Sequence, residues 1–134
     1  MAYEPVVTQT FTQEMAEAGG SLLQRLDSQG LDITAALWFY LESSDTWRLV
    51  IASPGVQSQG PKHVYERVQK ALGSDVDESR IKLGDISVVP PDDSLIKLLG
   101  IAIKTGRKDI SGIRFSRNTI NGQFIQDAYI YRLT

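Results

Sequence analysis

Apolar residues at helical spacing alternate along this chain with apolar residues at strand spacing, and an Asn-Gly pair joins two alternating runs near its end. With a length of 134 residues, these observations predict one α+β domain spanning residues 1–134. The expected architecture has two layers in the order αββαβαββ, a mainly antiparallel sheet carrying its helices on one face.

The first helix is expected over residues 11–28, where Phe11, Met15, Leu22 and Leu26 recur at helical spacing with Leu23 beside them. Gly19 and Gly20 stand in its middle and weaken it by up to about 1 kcal/mol each against alanine. Gly30 closes it. In the following stretch, DITAALWFYLES, the residues Ile33, Ala35, Leu37, Phe39 and Leu41 alternate as a core face, with Thr34, Ala36, Trp38 and Tyr40 opposite. The turn Ser43-Ser44-Asp45 leads into TWRLVIAS and completes a hairpin.

The spacing predicts a second helix from Pro61 to Leu72, burying Val64, Val68, Ala71 and Leu72, with Glu66 and Lys70 as an i,i+4 pair. DISVV (85–89) reads as a short buried strand that Pro90 and Pro91 stop. A third helix is expected over 92–105, capped by Asp92 or Asp93. Its sequence SLIKLLGIAIK is apolar around most of its circumference, which implies burial on several sides or an oligomer contact, and its period also admits a strand within 96–104. Asn121-Gly122 specifies a type I′ hairpin, because both residues accept positive φ. That turn sets Ile120 against Gln123, Phe115 against Ala128, Arg114 against Tyr129 and Gly112 against Tyr131. One face then carries Ile113, Phe115, Phe124, Ala128 and Ile130 as core. The other carries Arg114, Ser116, Asn118, Ile125, Asp127, Tyr129 and Tyr131.

Composition narrows the chemistry. Hydrophobic residues make up 42% and charged residues 22%, ordinary for a globular protein. No apolar run approaches the roughly 18 residues that span a bilayer, and MAYEPVVTQTF has no signal-peptide pattern, so no membrane role is expected and the cytoplasm is the simplest location. Without cysteine there is no disulfide, thiolate metal site or thiol nucleophile. The net charge of −2 conceals a polarity: residues 1–45 hold seven acidic side chains and one basic, residues 97–134 seven basic and two acidic. Two such ends neutralise each other if they pack together; otherwise the basic end serves an anionic partner or head-to-tail self-association.

The loop SPGVQSQGPKHV resembles a phosphate cradle only in spacing. Gly55 and Gly60 match G-x-x-x-x-G, but Pro61 stands where the lysine belongs and removes an N–H donor. The reading is a connection, with Pro61 starting a helix. His63 is the single histidine and is expected at the surface; with no cysteine, a zinc site is not expected. Asp92-Asp93 lacks the acid-x-lysine element a metal-dependent nuclease would need, since Ala102 precedes Lys104 and Gly106 precedes Lys108 at that spacing. Asp75, Asp77 and Glu78 lack calcium-loop spacing and read as solvated. An enzyme would have to assemble acids and serines in the fold, around Ser53, His63 and Asp92.

The best candidate surface is the basic and aromatic face of the last hairpin, Arg114, Arg117, Tyr129 and Tyr131, extended by Lys104, Arg107 and Lys108 just before it. Such residues stack on bases and pair with phosphates, yet the chain is acidic overall and Asp127 sits within the patch. The expectation is therefore a non-catalytic interaction or self-associating module, a homodimer, without metal or cofactor; nucleic-acid binding is the alternative.

Overall fold

The computed structural model describes residues 10–73 and 81–134. Asp75, Asp77 and Glu78 lie outside them. Helix α1 (Gln13–Ser28) leads to strands β1 (Ala35–Leu41) and β2 (Thr46–Ala52), then helices α2 (Gly55–Gln59) and α3 (Pro61–Gly73). Strand β3 (Ile86–Val89), helix α4 (Ser94–Ala102) and the hairpin β4 (Ile113–Ile120) and β5 (Gln123–Leu133) follow. The sheet runs β3-β2-β1-β5-β4; β2 and β3 pair in parallel and every other pair is antiparallel.

The α+β class and mainly antiparallel sheet are as expected, but the helices do not share one face. α1 and α3 bury Leu22, Leu26, Val64 and Val68 against Ala36, Trp38, Leu49 and Ile51. Across the sheet, α4 buries Ile96 and Leu99 against Leu37, Val50, Ala128 and Ile130. The reason is visible in β1, where both alternating sets are apolar, so each face demands a cover. α4 provides the second one with Ile96 and Leu99, while Ile101 in its last turn stays exposed. Its last turn ends at Ala102 with Ile103 already extended, and no strand forms within 96–104.

Local signals explain the boundaries. Thr12 caps α1 by accepting from the Met15 N–H at 3.1 Å, and Asp93 caps α4 by accepting from the Leu95 N–H at 3.0 Å. The suspected phosphate loop is itself the one-turn helix α2, closed by Gly60 at φ 89°; Pro61 then opens α3. Gly19 is required by a close approach. A Cβ there would stand 2.3 Å from the Tyr131 hydroxyl and 2.8 Å from the Trp38 indole nitrogen. Trp38 Nε1 donates to the Tyr131 hydroxyl (3.1 Å), which donates to the Ala16 carbonyl (2.6 Å), so a buried polar chain runs beneath the helix where the glycine lets it pass.

The two charged ends of the chain do meet. Arg132, 1% exposed, forms a bidentate pair with Asp27 of α1 at 2.8 and 3.0 Å and also donates to the carbonyls of Ile33 and Asp109. No helix among the described residues is long and apolar enough to cross a membrane.

Candidate functional site

The last hairpin forms in the expected register, from Ile120 opposite Gln123 to Arg114 opposite Tyr129, with Asn121 and Gly122 both at positive φ. Its faces differ from expectation beyond the middle. Arg117 adopts φ 48°, and the ladder skips it between Ser116 and Asn118. Gln126 opposite it is skipped as well, so the register is kept while the two faces exchange on the turn side. Ile125 is buried with Ile120 in the α4-side core, whereas Phe124 is 58% exposed.

At this unpaired step Arg117 lines a shallow cleft on the α1 side. Its lining comes from three parts of the chain: Thr10 and Phe11 before α1, Tyr40 and Trp47 from the first hairpin, and Arg114, Arg117, Gln126 and Asp127 from the last. The cleft encloses about 240 Å³. Tyr40 and Trp47 sit opposite each other in the β1–β2 register, with ring centroids 5.4 Å apart. Phe11 closes the cluster, its ring 4.9 Å from Trp47 and 4.9 Å from Tyr129. Such tilted pairs gain from the ring quadrupoles beyond the area they bury.

Arg114 is the keystone of this cluster. Its Nε and Nη2 donate to the two carboxylate oxygens of Asp127 at 2.7 and 2.6 Å, and the guanidinium carbon lies 5.3 Å from the Phe11 ring centroid and 5.8 Å from that of Trp47. The hydrogen bond to Asp127 raises its pKa above an already high value, against a smaller opposing effect of desolvation. Tyr40 donates to Asp45 Oδ1 at 2.5 Å. That bond, with the nearby carboxylates, pushes its pKa up to about 12, so the phenol stays protonated throughout the physiological range. Arg117, by contrast, is exposed and makes no hydrogen bond or ion pair among the described residues.

The seven residues expected to form one basic and aromatic face are divided. Arg114, Arg117 and Tyr129 do gather at or beside the cleft. Tyr131 is 2% exposed, and burial raises its pKa; it belongs to the polar chain under α1. Lys104, Arg107 and Lys108 stand at the far end of β5, where Thr105 and Ser111 donate from their backbone N–H groups to Leu133 and Tyr131. Arg107 and Lys108 line one recess there and Lys104 another. At about 3.3 Å per residue, the Leu133 end of the strand is some 13 Å from Tyr129. Trp38, expected on an open face, is buried beneath α1.

The residues considered for an enzyme are not brought into one exposed centre. Ser53 has no exposed surface and its hydroxyl accepts from the Gly55 N–H. Asp92 is exposed and accepts from Gln57, Asp93 caps α4, and His63 is half-buried on α3. Among the described residues, no group of three or more His, Asp or Glu side chains is placed to hold a metal ion.

Sequence reasoning missed Phe11, Trp47 and Gln126 as cleft residues. Trp47 was within reach, because the short turn Ser43-Ser44-Asp45 places it across from Tyr40; Phe11 joins only when α1 docks on the sheet. No protein-family model, curated protein or solved structure matches the chain.

Proposed function

We propose that this chain is a non-catalytic protein-interaction module and that the aromatic–arginine cleft holds a short segment of its partner. The observation that supports this most is the convergence of Phe11, Tyr40, Trp47, Arg114 and Arg117 from three separate parts of the chain around one open recess. Tryptophan, tyrosine and arginine dominate binding energy at protein interfaces because they combine large apolar area with directed hydrogen bonding. The volume of about 240 Å³ falls below the roughly 300–1,000 Å³ of small-molecule sites, which fits one or two side chains better than a cofactor. The absence of cysteine is in keeping with a reducing compartment such as the cytoplasm.

Self-association is the second reading. Ile101 of α4 and Phe124 at the hairpin are 64% and 58% exposed, and a homodimer would cover such side chains; light scattering on the full chain distinguishes one copy from two. Nucleic-acid binding receives less support, since Asp127 already occupies Arg114 and Lys104, Arg107 and Lys108 line other recesses, which leaves Arg117, among the described residues, as the one uncommitted cation of the cleft lining.

The test is selection of a random peptide library against the immobilised full chain. Enriched peptides that lose binding to Gln126→Trp, which fills the cleft from its wall, support the proposal. No enrichment, or peptides indifferent to that substitution, would contradict it.

A further inference from the structure

Building on the cleft as a partner site, we infer that its occupant is an acidic peptide segment. An aromatic or large apolar side chain rests against Phe11, Tyr40 and Trp47, and an Asp or Glu carboxylate beside it engages the guanidinium of Arg117.

The charge inventory of the cleft leads to this ligand class. Its lining holds two cations and one anion, Arg114, Arg117 and Asp127. Both oxygens of Asp127 are taken by Arg114 at 2.7 and 2.6 Å, so Asp127 is already committed and Arg114 has its carboxylate partner. The nearby Asp45 accepts from Tyr40. Arg117 is left as the cation at the rim, without a hydrogen-bond or ion-pair partner among the described residues. A guanidinium presents a planar fork that matches a carboxylate with two parallel hydrogen bonds. A partly desolvated aromatic wall beside it strengthens such a pair relative to open water.

Arginine is also an unfavourable choice for the backbone at this position. At φ 48° a side chain meets the left-handed penalty that glycine avoids and asparagine tolerates. The left-handed backbone alone would be served as well by either. Among the described residues nothing pairs with the guanidinium, and the substitution that removes it is one the backbone accepts.

The experiment uses peptides selected against the full chain, made synthetically with a fluorescent label and titrated by anisotropy. Arg117→Asn is expected to melt at the same temperature as the natural chain or a few degrees higher. It should bind the peptides about tenfold or more weakly, the loss of one charge-assisted bidentate contact. Replacing the peptide's acidic residue with its amide should cost the natural chain the same factor and cost Arg117→Asn almost nothing, which a double-mutant cycle reads directly. Peptides that bind the cleft without an acidic residue, or that bind both proteins equally, would overturn the inference while leaving the interaction site standing. Failure of any peptide to engage the cleft would overturn both. Binding of a labelled random oligonucleotide that Arg117→Asn abolishes, with no acidic peptide selected, would replace the peptide by a nucleic acid and so also refute it.

Discussion

Substituting Asp27→Asn should destabilise the domain by about 3 kcal/mol, the lower end of the cost of breaking a buried ion pair. The Arg132 side chain is 1% exposed and that of Asp27 19%. Asparagine keeps the shape of Asp27 but removes the charge and offers one acceptor where the carboxylate offered two. One guanidinium nitrogen then faces an amide NH₂, and Arg132 retains only the carbonyls of Ile33 and Asp109 with the remaining amide oxygen. Water reaching the partly exposed partner keeps the penalty from its upper limit. For a chain of this length, 3 kcal/mol corresponds to roughly 10 °C in Tm. Urea unfolding followed by circular dichroism measures the change, with an unaltered m-value showing that the denatured state is unaffected. The double variant Asp27→Asn/Arg132→Met should recover part of the loss, because an apolar side chain leaves no charge to satisfy. A loss under about 1 kcal/mol would place the pair with exposed salt bridges and refute the argument that it ties the two ends of the chain.

Adjacent glycines of α1 should respond oppositely to alanine. Gly19→Ala collides with Tyr131 and Trp38 and should cost about 2 kcal/mol or more despite alanine's helix propensity. Gly20→Ala meets only ordinary contacts at 3.7 Å and should stabilise by about 0.5–1 kcal/mol; thermal melts of the two variants decide the matter. Tyr40 should titrate near 12 in a spectrophotometric pH series, and Asp45→Asn should bring it back toward 10.0. Because the folded pKa is the higher one, this contribution to stability is complete below pH 10 and declines as pH rises from 10 to about 12. Tyr40 titrating near 10 in the natural chain would contradict the hydrogen bond to Asp45.

Much of the fold was legible wherever a local rule acts alone. The Asn121-Gly122 turn determines the hairpin register, Pro61 opens α3, and Asp93, one of the two expected caps, starts α4. Local rules mislead where tertiary context decides between options. Alternation in β1 suggests one core face, but Ala36 and Trp38 are as apolar as their neighbours and demand a second helix layer. The exchange of Phe124 and Ile125 follows from left-handed Arg117, a conformation no propensity assigns to arginine. The candidate site was half visible for the same reason. Arg114, Arg117 and Tyr129 share a strand pair, but Phe11 and Trp47 reach them only through the packing of α1 and the order of strands across the sheet.

The central claim is that the cleft is where a partner segment binds, and the two tryptophans test it most directly. Trp47 lines the cleft, while Trp38 is sealed beneath α1 with its indole nitrogen bonded to Met15 and Tyr131. A ¹⁵N-labelled full chain titrated with a selected acidic peptide should show a progressive shift of the Trp47 indole resonance and of the Arg117 Nε, with Trp38 scarcely moving. Peptide-induced shifts clustered around Lys104, Arg107 and Lys108, with Trp47 unmoved, would contradict it.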